Sequence, residues 1–224
     1  MTAHRCLAGA LALCLLLTPA GAPAAPASSF ELLEALWSGI QDYSMTIDAH
    51  EVLGDQSAEN ELHFAFRRPD HARLDILTGL RSGSTIVWGG GDRVTAYMRL
   101  FSFFKMHGDA RQKDLTSLRG NGILNPNMGD VIACFAAYRD QLREHDGPEI
   151  AGKPTDEIEL PYHGVECPDD PPADRGTVTL DVLDVDRQSG LVITRKRYEG
   201  DAVVERWDMA DWRINAGLSD RDLR

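Results

Sequence analysis

From Tyr43 onward the chain runs through short apolar–polar alternations of period two, each closed by a turn signal. That pattern leaves few folds open, because residues two apart on a strand share one face. Tyr43, Met45, Ile47 and Ala49 alternate with Ser44, Thr46, Asp48 and His50 before Gly54-Asp55-Gln56-Ser57 turns the chain. Leu62, Phe64 and Phe66 make a second apolar edge, broken by Pro69-Asp70, and Ala72, Leu74 and Ile76 a third. Ile86 to Trp88 and Val94 to Met98 flank Gly89-Gly90-Gly91-Asp92 as a hairpin. After Pro154, strands are expected at residues 155–160, at Val178-Leu180-Val182, and over residues 191–198, 202–209 and 212–215. Asp186 to Gly190 and Glu199-Gly200-Asp201 are the hairpin turns among them. About ten consecutive short strands predict an antiparallel sheet, and with the helices below they predict the α+β class. No internal repeat is visible.

Two helices interrupt the strands. Ser28-x-x-Glu31 is a capping box, and Phe30, Leu33, Trp37 and Ile40 follow at helical spacing towards an end near Asp42. Asn125-Pro126-Asn127 opens the second, with Val131, Phe135, Tyr138 and Leu142 on one face and Gly147-Pro148 as its stop. Leu100 to Met106 is apolar and aromatic without clean alternation, and Ser117 to Gly129 reads as a long loop. Within it, Gly120-Asn121-Gly122 is either a binding loop or a connection that needs positive φ.

The first 27 residues have a different character. Arg5, an apolar run from Cys6 to Leu17 and a small-residue exit make a secretory signal peptide. Ala25-Pro26-Ala27 fits the cleavage site, and Ala22-Pro23-Ala24 is a second candidate. The apolar run is short for a retained membrane anchor. Cys14 follows Leu13 rather than a small residue, which argues against lipidation there. Cleavage leaves residues 28–224 as a single domain, exported to the periplasm. The mature part carries 22 Lys and Arg against 35 Asp and Glu, a net charge of about −13. Nucleic acid and anionic lipid head groups are therefore poor partners, although Arg67-Arg68 and Arg195-Lys196-Arg197 could form local basic patches. Cys134 and Cys167 remain as an even pair in an oxidising compartment, which favours a disulfide over two buried thiols.

Catalytic constellations are missing from the sequence. None of His50, His63, His71, His107, His145 and His163 sits in a metal-binding spacing, and His50 and Glu51 point to opposite faces of one strand. Asp184-x-Asp186-x-x-x-Gly190 lacks the further carboxylates of a calcium loop and reads as a turn. Glu166, Asp169, Asp170 and Asp174 read as a solvated, proline-rich loop. No G-x-S-x-G elbow is present. The expectation is a protein that is not an enzyme and carries no cofactor and no metal.

Four stretches resemble the periplasmic lipoprotein-carrier superfamily, whose members include the LolA and LolB carriers and the regulator RseB. Asp42-Tyr43-Ser44 enters the first strand after the helix. Phe64-Ala65-Phe66-Arg67-Arg68-Pro69 with Arg73-Leu74 resembles the family's step between two strands. Val87-Trp88-Gly89-Gly90-Gly91-Asp92-Arg93-Val94 resembles its glycine-centred hairpin, and Trp212-Arg213-Ile214-Asn215-x-Gly217-Leu218 its closing strand. The resemblance covers most of residues 30 to 218. The Gly/Asn loop and the helix from about Met128 to Leu142 depart from it, being unmatched to the carriers' lid.

The resemblance implies a bent, incomplete antiparallel β-barrel with helices packed into its open side. It implies an apolar interior that takes acyl chains, lined here by Trp37, Phe64, Phe66, Leu74, Ile76, Trp88, Met98 and Phe104. The alternative for these side chains is a packed core. The implied function is a monomeric, non-catalytic carrier of lipid or lipid-modified protein in outer-membrane lipoprotein sorting. A regulator of the same fold, sensing lipid or lipoprotein and binding a membrane protein, is the alternative, and an envelope enzyme is the third reading.

Overall fold

The alternating segments pair into a single antiparallel sheet of eleven strands. It is seen in a computed structural model that describes residues 28–224 except 99, 101, 102, 104, 111, 168, 169 and 172. The segment read as a signal peptide, and Phe104, lie outside the described residues. In chain order the strands are β1 (Asp42–Leu53), β2 (Gln56–Arg67), β3 (His71–Ile76), β4 (Ser84–Trp88), β5 (Arg93–Met98) and β6 (Lys105–Asp109). Then follow β7 (Arg143–Asp146), β8 (Thr155–Pro161), β9 (Leu180–Asp186), β10 (Val192–Glu199) and β11 (Ala202–Ile214). The spatial order is β6-β5-β4-β3-β2-β1-β11-β10-β9-β8-β7, so two meanders meet where β1 pairs with β11. The sheet does not close, which makes the molecule an incomplete barrel of the expected α+β class. No helix among the described residues is long and apolar enough to cross a membrane.

Register puts one apolar set on the inner face. Met45 lies opposite Phe64 and Phe64 opposite Leu74, while Ile47 faces Met209 and Ala49 faces Trp207. Ile158 faces Leu183 in the second meander. α1 (Ser29–Ser38) and α2 (Met128–Ala137) supply the apolar cover. Phe30, Leu33 and Trp37 of α1 and Met128, Val131, Ile132 and Phe135 of α2 are buried in the same core. The capping box forms, with Ser28 Oγ accepting from the Glu31 amide and Glu31 Oε2 from the Ser28 amide, both at 3.1 Å. Tyr43 ties sheet to helix: its hydroxyl accepts from the Met128 amide at 3.0 Å, and its ring packs among Trp37, Phe64, Phe66 and Trp212.

Several boundaries differ from the expected ones. α1 ends at Ser38, because the Gly39 amide closes onto Leu36 and Trp37 and Asp42 already belongs to β1. α2 ends at Ala137 rather than at Gly147. Arg139–Gln141 form a 3₁₀ turn, and Arg143–Asp146 become the exposed edge strand β7. The sheet edge there offers β8 as a partner, which local periodicity cannot register. β6 pairs with β5 where no strand was expected. The last two expected strands are one, with an extra residue opposite Ser44–Thr46 and Asp211 at φ 53° absorbing the irregularity.

Candidate functional site

The inner face is apolar over the first meander and charged over part of the second. Asp181 on β9, Arg195 and Arg197 on β10, Glu205 on β11 and Glu51 at the end of β1 all occupy inward register positions, and all are buried. Arg195 Nη2 lies 2.6 Å from Asp181, and Arg197 Nε lies 3.1 Å from the same carboxylate. Arg197 also holds Asp170 at 2.8 Å and Asp174. Burial opposes ionisation of Asp181, but Arg195 and Arg197 outweigh it and hold the carboxyl below the ordinary range.

This corrects three expectations. Arg195 and Arg197 are not a surface basic patch. Asp170 and Asp174 are not solvated. The phase of β9 is opposite to the apolar pattern: Asp181 faces inward beside Leu183 and Leu160, while Val182 lies on the other, also covered, face. A strand buried on both faces gives no usable alternation.

Arg119, from the loop before α2, is among the described residues the largest of the almost fully buried side chains. Its Nε donates to Asp174 at 2.8 Å, Nη1 to the Val52 carbonyl at 2.6 Å and Nη2 to Glu199 at 2.6 Å. Its backbone amide donates to Glu51 at 3.1 Å. Asn121 Nδ2 bridges Glu51 and Glu205, at 2.7 and 2.6 Å, and Ser117 Oγ donates to Glu51 at 2.5 Å. Glycine permits this approach: Gly120 has φ 99°, and a Cβ on Gly122 would lie 2.7 Å from the Ala110 carbonyl oxygen. The Gly/Asn segment is therefore a roof clamped to the sheet by buried polar bonds.

Under that roof lies a crevice over β1 to β6. Its inner cavity, about 50 Å³, has Leu62, Leu74, Ile76 and Ile86 as its apolar side and Glu51 and Asn121 at the other end. A second cavity of about 200 Å³ shares Ile76, Arg81, Ile86 and Leu115 with it and continues to Ala96, Met98 and Met106.

Of the eight side chains expected to line a cavity, the seven that are described separate into groups. Trp37, Phe64 and Phe66 belong to the closed aromatic cluster around Tyr43, and Trp37 and Phe66 also border a mixed polar cavity of about 290 Å³. Leu74 and Ile76 line the crevice. Met98, 46% exposed, stands in the wall of its outer cavity. Trp88 is partly buried against the core, its Nε1 donating to Gly91 at 2.6 Å. Cys134 and Cys167 are joined, with Cα atoms 5.6 Å apart. The bond ties α2 to the loop that delivers Asp170 and Asp174. Elsewhere, His145, Glu157 and Glu159 lie within ligand distance of one another on the outer edge, and His145 pairs with Glu157 at 2.9 Å.

Burial pushes the Glu205 carboxyl up to about 7, against the pull of Arg197. A carboxyl that binds its proton more tightly when folded makes stability greatest below its ordinary value near 4.5, and stability falls as pH rises through about 7. Glu205→Gln keeps the shape and removes the charge. It is expected to be more stable than the wild type at pH 8, by up to about 3 kcal/mol at about 1.4 kcal/mol per pH unit. At pH 4 the two should be alike. Urea unfolding at both pH values is the check, and equal stability at pH 8 would refute the assignment.

No family model matches the chain, and no curated protein matches it. Solved structures do. An uncharacterised conserved protein from Thermus thermophilus is 9% identical, with 86% of this chain and 90% of that chain covered and a TM-score of 0.51. A LolA superfamily protein from Nitrosomonas europaea is 11% identical over 89% of this chain and 98% of that one, TM-score 0.41. MucB in the MucA/MucB complex of Pseudomonas aeruginosa is 15% identical over 88% of this chain and 60% of that one, TM-score 0.46. At these identities the likeness is one of fold. A lipoprotein-sorting protein domain from Vibrio parahaemolyticus is also among the matches.

Proposed function

We propose that the protein is a periplasmic, non-catalytic carrier or binding protein for the acyl chains of a lipid or lipid-modified protein. The observation that carries this reading is the crevice. It is walled by Ile76, Ile86, Ala96, Met98, Met106 and Leu115 and roofed by a loop held mainly through polar contacts. An acyl chain left in water costs about 0.8 kcal/mol per CH₂, and concave apolar space with flexible methionines suits such a guest. A ligand enters by displacing the roof, trading its contacts for the guest's own.

The purified protein is expected to take up a fluorescent acyl probe below its micelle concentration. Ala96→Phe, which fills the outer cavity, should weaken uptake at least tenfold while circular dichroism stays native. Mass spectrometry of organic extracts from periplasmic protein should show a recurring lipid. A wild type that binds no acyl probe would overturn the reading. It would favour a regulator that binds a protein partner, for which the exposed Leu100, Phe103 and Met106 beside edge strand β6 are the motivating surface.

A further inference from the structure

Exposed apolar surface is concentrated at one place. Among the described residues eight large apolar side chains are exposed, and four of them, Met98, Leu100, Phe103 and Met106, run from the end of β5 into β6. Leu100 is 82% and Phe103 75% exposed. Scattered singly, such residues need no explanation, but a cluster marks a surface that meets a partner. Met98 and Met106 also wall the outer cavity, so the cluster is the lip of the crevice.

Charge at the lip runs against that of the chain. From Arg93 at the start of β5 to Leu115 at the end of the 3₁₀ turn Lys113–Leu115, the sequence holds five Lys and Arg against two Asp, whereas the whole chain holds 23 against 35 Asp and Glu. Lys105 and Lys113 are exposed. Lys105 Nζ stands 5.9 Å over the ring of Tyr97, the neighbour of Met98 on β5. Asp114 and Leu115, of the turn that carries Lys113, border the outer cavity together with Met98 and Met106. Apolar tips flanked by lysines match a bilayer surface, where the tips enter the acyl boundary and the ammonium groups stay among the head-group phosphates. The negative charge of the rest of the molecule opposes this approach only weakly, because salt screens charges farther than about 8 Å from the surface.

We propose that the lip between β5 and β6 docks on a bilayer that contains anionic phospholipid, with the mouth of the crevice turned to the lipid. The docking stands on the lip itself. That the crevice then draws its guest from the bilayer rests on the acyl-chain reading. Docked in this way, an acyl chain passes from bilayer to crevice without crossing water, where every CH₂ adds to the cost.

The test is flotation of the mature protein, residues 28–224, with vesicles of phosphatidylcholine alone or mixed with phosphatidylglycerol. Binding to the mixed vesicles is expected to be about tenfold tighter than to phosphatidylcholine alone, and to weaken as salt is raised. Lys105→Glu/Lys113→Glu should remove that preference. Leu100→Ser/Phe103→Ser should weaken binding to the mixed vesicles by about tenfold or more. Leu32→Ser should leave it unchanged, since Leu32 is an exposed residue of α1, whose N-terminus is held against β7 and β8. The four lip side chains that are changed are all exposed, so both double variants should fold, and circular dichroism reports whether they do. A wild type that does not float with the mixed vesicles, or lip variants that float as well as the wild type, would overturn the docking and leave the lip to a protein partner. The acyl probe separates the two readings. Probe uptake without vesicle binding removes the docking and leaves the carrier; vesicle binding without probe uptake removes the carrier and leaves the docking.

Discussion

Arg119→Met is expected to destabilise the folded protein by about 3–5 kcal/mol, the cost of breaking a buried ion pair by deleting one partner. The size follows from what is left behind. Asp174 loses the donor at 2.8 Å while remaining wholly buried, and the Val52 carbonyl loses its 2.6 Å partner. Methionine fills much of the arginine's volume, so the effect is one of charge and hydrogen bonding rather than of a cavity. Arg119→Lys keeps the charge but cannot donate in three directions from one planar fork, and it should fall between the two. Because folded proteins are stable by only about 5–15 kcal/mol, the Met variant should show a clear drop in the urea midpoint. A midpoint unchanged within error would mean that the roof is not clamped where the geometry places the clamp.

Removing the disulfide should cost about as much. Cys134 and Cys167 are 33 residues apart in sequence. In the chain-entropy view, a loop of that size makes its closure worth roughly 4 kcal/mol. The bond also delivers the acidic loop to its partners, since Asp170 lies three residues beyond Cys167 and pairs with Arg197. Tyr162 reports the same junction, its hydroxyl lying 3.0 Å from Cys167 Sγ and 3.1 Å from Asp170. The Cys134→Ala/Cys167→Ala double variant is expected to unfold at markedly lower guanidinium concentration than the oxidised wild type. Reduction of the wild type under mild conditions should reproduce the shift. Thiol titration of the denatured, unreduced protein should find neither Cys134 nor Cys167 free. Two thiols per chain, or superimposable unfolding curves, would sink the claim.

How much of this was legible beforehand depends on how local each feature is. The strands from Tyr43 to Ala49 and from Leu62 to Phe66, the hairpin turns, and the capping box at Ser28 and Glu31 are set by neighbours in sequence, and the structure has them all. The pairing of β1 with β11 involves residues more than 150 positions apart, and no local pattern registers it. The end of α2 was missed because Tyr138 and Leu142 continue the helical spacing, while the edge of the sheet claims Arg143–Asp146. The charged interior was illegible for a different reason. Arginine and aspartate at alternate strand positions read as a solvated face, and only their partners, Arg119 from the loop before α2 and Asp170 and Asp174 from the loop after Cys167, reverse that reading. The odd Gly120-Asn121-Gly122 sequence was the one available signal for the roof.

The meeting of the two meanders at β1 and β11 also fixes an order of assembly. The first six strands are joined by hairpins and can pair with near neighbours as soon as they are made. The central seam cannot, because the strand that completes β1 is the eleventh and last of the series. Loop-closure entropy must be met before that contact returns anything, so contact order is high and the final step slow. A ribosome or a translocation pore releasing the chain from its N-terminus would thus hand over a half-sheet with one long unpaired border, kept open until the closing strand arrives.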